Sequence, residues 1–198
     1  MAKIERNIER KIKVAKQRQI SNALMEDVDE LTELLKTNFI PVAEHIEWNF
    51  EELRDMFPSQ QLSLDYKLGH AIGGFRSIAI ACDDNLTDAK VEQLLQKRQK
   101  SMEAVGLALD SVENAVKILK FNHLGGRIKN WAKADGYESA DVSFKDGKLV
   151  ARKWQTYRGE YGFWESTLEL RPVEMPDCSR VRSIIDHGLQ KKEHPPAN

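Results

Sequence analysis

A seven-residue apolar repeat in the middle of the chain constrains its fold more than any other feature. Val91, Leu95, Arg98, Met102, Val105, Leu109, Val112, Val116 and Leu119 follow one another at alternating steps of four and three, and only Arg98 is not apolar. A helix places all nine on one narrow stripe, the geometry of a coiled-coil seam or a bundle core. At about 1.5 Å of rise per residue the stripe runs for roughly 40 Å. The expectation is a mainly α chain, an elongated antiparallel helical bundle around this helix, with the nine positions as a candidate self-association seam. Arg98 in a seam costs stability unless it is paired, and a lone polar residue there can select register or oligomer state. Glu26 to Glu33 and Glu44 to Glu52 contain acids that could pair with it.

The rest of the first 124 residues supplies helices to surround the stripe. Ala2 to Thr37 holds neither Gly nor Pro and reads as one helix, with Leu24, Val28, Leu31 and Leu35 in clean register. Its first half is a basic arm in which Ile4, Ile8 and Ile12 sit among seven Lys and Arg. Pro41 is expected to interrupt or kink the helix. Val42, Ile46, Phe50, Leu53 and Phe57 form a second amphipathic run closed by Pro58, and Leu68, Ile72, Phe75, Ala79 and Cys82 a third. Gly69, Gly73 and Gly74 flank that third stripe and suit close approach of a neighbouring helix. A phosphate-binding loop is disfavoured, since no strand precedes these glycines and no Lys-Ser/Thr follows. Asp83, Asp84 and Asn85 offer N-cap chemistry for the long helix, and Gly125–Gly126 offers its end.

Beyond Gly126 the period changes. A short helical piece carrying Ile128 and Trp131 leads to Gly136, and residues 142–171 then alternate with period two. Asp146–Gly147 is a two-residue hairpin signal that sets Lys145 against Lys148, Phe144 against Leu149 and Val142 against Ala151. Trp164, Ser166, Leu168 and Leu170 mark a third strand, stopped by Pro172 and Pro176. Asp177 or Ser179 caps a last helix through Ile184 and Ile185 that ends at His187–Gly188. The chain therefore divides into a helical bundle with a basic N-terminal arm (1–124), a small α+β module with a three-stranded antiparallel meander (125–189) and a disordered tail (190–198).

Charge is segregated beneath a net −1. Residues 1–20 carry seven basic groups against two acids, residues 26–55 ten acids against two basic groups, and residues 117–158 ten basic groups against four acids. Solvated helix faces account for such runs, and so does complementary docking between chains. Cys82 and Cys178 fit no metal or redox spacing, which points to a reduced compartment. The opening MAKIERNIERK lacks the apolar core of a signal peptide, and no stretch approaches the roughly 18–20 apolar residues of a membrane span. The expected location is cytoplasmic.

The hairpin carries the sharpest candidate site. Lys145, Lys148, Val150, Arg152 and Trp154 share one face, with Val142, Phe144, Leu149 and Ala151 on the other. Directly opposed lysines repel by a few tenths of a kcal/mol, and a bound anion relieves that. With Arg158, Tyr157 and Tyr161 nearby, basic and aromatic residues interleave as a nucleic-acid backbone with stacked bases requires. A Lys-guarded sheet edge accounts for the same pattern. The candidate anion- or nucleic-acid-binding residues are Lys145, Lys148, Arg152, Trp154 and Arg158, with the basic arm as a second contact.

Catalytic signals are thin. None of His45, His70, His123, His187 and His194 belongs to a metal-ligand spacing, Asp83 and Asp84 read as a cap, and no nucleophile turn is present. No cofactor or metal is expected. Arg182-Ser183-Ile184-Ile185-Asp186-His187 is similar to the Arg-x4-His motif of the HEPN ribonucleases. That resemblance covers six residues and implies an RNA-cleaving pair, Arg182 and His187. Three functions follow in order. First is a non-enzymatic assembly or adaptor protein that self-associates through its helical body and binds a protein partner through its C-terminal module. Second is a DNA- or RNA-binding protein using hairpin and arm. Third is a HEPN-like ribonuclease.

Overall fold

The computed structural model describes residues 2–54, 63–82, 86–146, 148–157 and 160–190. Phe57 and Pro58, the Asp83–Asn85 cap, Gly147, Arg158 and the tail beyond Gln190 lie outside the described residues. The chain is mainly helical, with one small three-stranded antiparallel sheet toward its C-terminus. The helices are α1 (Ala2–Met25), α2 (Val28–Leu34), α3 (Ile40–Glu52), α4 (Leu64–Cys82), α5 (Asp88–Leu119), α6 (Phe121–Ala134) and α7 (Ser179–Gln190). The strands are β1 (Ser139–Lys145), β2 (Lys148–Tyr157) and β3 (Glu160–Glu169). Contacts group the chain into two compact units: residues 1–40, 66–109 and 177–198, and residues 41–65 and 110–176.

The first unit departs from the sequence reading at its entry. Ala2 to Thr37 is not one helix, because Asp27 takes a left-handed conformation with φ 63° that ends α1. Aspartate tolerates that region better than most side chains, and its carbonyl starts α2 by accepting the Leu31 N–H at 2.9 Å. The turn keeps the apolar register, since Leu24, Val28, Leu31 and Leu35 are all buried. Pro41 does not break the chain of helices. A π-helical turn at Leu35–Phe39 runs into α3, and Pro41 falls in the first turn of α3, where no backbone donor is needed.

α4 turns inward along Leu64, Leu68, Ala71, Phe75 and Ile78. Its stripe thus runs through Ala71 and Ile78, where the sequence pattern favours Ile72 and Ala79. Of the three glycines, Gly74 is the one in close approach: a Cβ there would collide with the Ser101 hydroxyl of α5. α5 starts from Thr87, whose hydroxyl accepts the Lys90 N–H at 3.3 Å. From Arg98 to Val116 the heptad positions are buried, but Leu95 is half-exposed and Leu94 takes its place inward. α7 begins where the Asp177 carboxylate accepts the Ser179 N–H at 2.9 Å, and it continues past His187–Gly188 to Gln190.

The second unit builds on an α-on-β core. Leu53, Leu124, Ile128, Leu149 and Ala151 are fully buried together, flanked by Leu119, Trp131, Val142, Trp164, Leu168 and Leu170. α5 ends at Leu119 rather than at the glycines, because Lys120 is extended (φ −62°, ψ 135°). Gly125–Gly126, the expected boundary between modules, lies inside α6, where Gly125 faces Val142 of β1. α6 closes at Gly136 (φ 87°), with the Tyr137 N–H donating back to the Ala132 carbonyl at 2.9 Å. The sheet order is β1-β2-β3, and the register pairs Lys145 with Lys148, Phe144 with Leu149 and Val142 with Ala151, as the turn signal requires. Asp146 takes the positive φ of 53° expected at the start of such a turn.

Candidate functional site

The outer face of the sheet is ordered by its register into cross-strand rows. Asp141, Arg152 and Glu165 face one another across three strands, and Lys145, Lys148 and Glu169 form a second row. Arg152 Nε lies 2.5 Å from Glu165 Oε2, and Lys148 Nζ lies 2.5 Å from Glu169 Oε1. Lys148 accordingly holds the Glu169 carboxyl below the usual carboxylate range. Three cations thus share the face with three carboxylates. The anion that relieves the opposed lysines is Glu169, supplied by the chain itself. Trp154 lies half-buried in a further row, between Ser139 and Phe163.

The inward face holds a charged group that the sequence reading missed. Lys153 follows Leu149 and Ala151 at period two, so β2 aims it at the core, and its side chain is 6% exposed. The ammonium lies 3.8 Å from the ring centroid of Trp131, 4.0 Å from Tyr137 and 4.7 Å from Trp164. Asp135 Oδ2 accepts from it at 3.0 Å. Rings and carboxylate together replace its hydration shell. The enclosed ammonium ties the end of α6 to the sheet.

At the other end of α6 the same unit opens a groove of about 290 Å³. Leu124, Leu149 and Leu170 line it, and Phe121 and Phe144 stand at its lip. Those two rings meet edge to face, with centroids 6.3 Å apart, yet they are 44% and 53% exposed. Among the described residues, Lys120 and Arg171 are the charged ones that line it. Arg171 is fixed twice: its guanidinium stacks over Trp48 at 4.0 Å, and its backbone is held by the buried side chain of Asn49. Asn49 sits three residues after Ile46, on the apolar stripe of α3, which is the signal that marks it in sequence.

In the first unit the misfit Arg98 is a tie between helix ends. Its Nη2 donates to the Glu26 carbonyl at 3.0 Å and its Nη1 to the Gly188 carbonyl at 3.4 Å, while Nε is buried with no hydrogen-bond partner among the described residues. Burial pushes the guanidinium pKa down, and the charges of Asp27 and Glu26 oppose that. The partner of Arg98 is therefore mainly a backbone carbonyl of the acidic stretch. Arg182 and His187 both lie on α7, but about 140° apart around its axis. His187 turns its Nδ1 to within 3.2 Å of Asp27 Oδ2. The two residues of the HEPN-like motif thus sit on different faces.

The candidate self-association seam is core. Arg98, Met102, Val105, Leu109, Val112 and Val116 are buried within the chain, Val91 and Leu119 are half-buried, and Leu95 alone is exposed. Among the described residues no three His, Cys, Asp or Glu gather as a metal site, and no helix is long and apolar enough to cross a membrane. Comparison with protein-family models, curated proteins and solved structures found no match.

Proposed function

We propose that the protein is a non-enzymatic interaction protein, whose helices form a bundle-type scaffold and whose second unit binds a protein partner. The observation that supports this most is the groove beside α6. Soluble proteins bury aromatic side chains where they can, and exposed aromatics gathered at a concave site mark binding surfaces. Self-association through the heptad stripe is not part of the reading, because the chain covers that stripe with its own atoms. A cytoplasmic location fits a chain with two cysteines, Cys82 and Cys178, far apart in sequence. The test is capture from native lysate by the full chain, before and after nuclease treatment, against a Phe121→Ser/Phe144→Ser variant. Proteins retained after nuclease and lost with the variant support the reading. Identical capture by both chains overturns it.

A second reading rests on α1. Every described side chain from Arg6 to Lys16 is exposed, including Arg10, Lys11, Lys13 and the apolar Ile12. An exposed basic helix suits the phosphate backbone of DNA or RNA. Gel-shift binding that falls steeply with salt, and is lost on reversing Arg10 and Lys13 to Glu, tests it.

A further inference from the structure

We propose that the groove beside α6 binds a short acidic segment of its protein partner, seating one large apolar side chain against Phe121 and Phe144 with flanking carboxylates on Lys120 and Arg171. This rests on the partner-binding reading above and names the chemistry of that partner.

Three observations converge on it. Among the described residues, the large apolar side chains that the second unit leaves exposed are Trp48, Phe121 and Phe144. Two form the lip of the groove and the third lies beneath the guanidinium of Arg171. The volume, about 290 Å³, lies at the lower bound of small-molecule cavities and suits one anchoring side chain in an open cleft. Among the described residues that line the groove, the charged ones are both cations. That asymmetry stands against the sheet's outer face, where Lys148 and Arg152 each contact a carboxylate across the strands.

The wall that carries Arg171 is also fixed before any partner arrives. Asn49 holds the backbone of Arg171 and Trp48 holds its side chain. A cation held in place in this way loses little freedom on binding, which is what makes such a contact worth having. Charge complementarity then selects among apolar anchors, favouring acidic flanks and rejecting basic ones.

The experiment uses the full chain and a fluorescein-labelled synthetic peptide with one Phe flanked on each side by Glu and Asp. Companion peptides replace Phe by Ser, or every acid by Lys. The acidic Phe peptide is expected to bind, with at least about tenfold weaker binding for each companion. Phe144→Ser is expected to weaken it by a similar factor, and Lys120→Glu/Arg171→Glu to shift preference toward the Lys-flanked peptide. The altered side chains line an open groove, so a retained cooperative thermal transition checks that the variants are folded. Equal binding of all three peptides, or no effect of Phe144→Ser, overturns the proposal. So does a protein that sediments as a dimer dispersed by Phe144→Ser, which would make a second copy the occupant. Binding of dodecanoate but not the peptide would make it a small apolar acid, and also overturns it. If no peptide binds while the Phe121→Ser/Phe144→Ser variant still loses a nuclease-resistant protein, the acidic chemistry falls and the partner reading stands.

Discussion

The side-chain amide of Asn49 hydrogen-bonds both polar backbone atoms of Arg171: its Nδ2 donates to the Arg171 carbonyl at 2.9 Å, and its Oδ1 accepts the Arg171 N–H at 2.7 Å. An amide side chain here does the work of a neighbouring strand, and it does so from a helix. Asn49→Ala leaves a buried donor and acceptor without partners and should cost about 1–3 kcal/mol. Urea unfolding gives the loss, and faster amide exchange at Arg171 locates it. Asn49→Asp keeps the accepting half but sets a carboxylate against a carbonyl, so it should be no better than Asn49→Ala at neutral pH.

Arg98→Met tests whether the buried guanidinium is a tie or a burden. An apolar side chain of similar length avoids the desolvation of a charge whose Nε has no partner among the described residues. It also strips donors from the Glu26 and Gly188 carbonyls. The second effect should win, with a net loss of about 1–3 kcal/mol in chemical denaturation. A variant as stable as the parent would show that those helix ends need no tie.

Lys153→Met keeps the side chain's length and removes its charge. Asp135 is half-exposed and can return to water, so the loss is confined to the contacts between ammonium and rings, about 1–2 kcal/mol. Lys153→Glu places a carboxylate against three π faces and should prevent the second unit from folding. Indole emission from Trp131 and Trp164 reports both outcomes.

The elements whose signals are local were legible in the sequence. Asp146–Gly147 fixes a register that alternation then carries to Val142 and Ala151, and both follow from backbone geometry. Lys153 was legible too, by extending that alternation one residue past Ala151. What escaped depends on tertiary context. Nothing local distinguishes Leu95 from Leu94 as the inward residue of α5. Nor does anything local show that Asp27, in a stretch without Gly or Pro, ends a helix. The groove could not be read at all, because Asn49, Phe121, Phe144 and Arg171 meet only through the fold.

Acid should weaken the first unit through Glu30. Arg180 donates to both its oxygens at 2.6 Å and holds its carboxyl below the usual range. A lowered folded-state pKa means that the contribution is present above the unfolded value, near 4, and is lost as pH falls through the folded one. The pair is exposed, so salt should screen it. Glu30→Gln is expected to lower the thermal midpoint slightly at neutral pH and to converge with the parent in acid. A gap that persists below the carboxylate range would assign the effect to packing.

Gly188→Ala sets two effects against each other. Alanine favours the helix by up to about 1 kcal/mol, but its Cβ would run into the sulfur of buried Met102. Overpacking a filled core costs about 1–3 kcal/mol, so the variant should be destabilised. Gly188→Ala/Met102→Ala should recover part of that loss in a double-mutant cycle.

Trp48, Trp131, Trp154 and Trp164 all belong to residues 41–65 and 110–176, and the remaining segments contain no tryptophan. Indole fluorescence, excited above the tyrosine band, therefore watches one half of this molecule melt while the other contributes none of the signal. Helix ellipticity, drawn from both halves, completes the comparison without any label. Coincident curves would show that the halves collapse in a single cooperative step, and separated curves that each holds its own melting point.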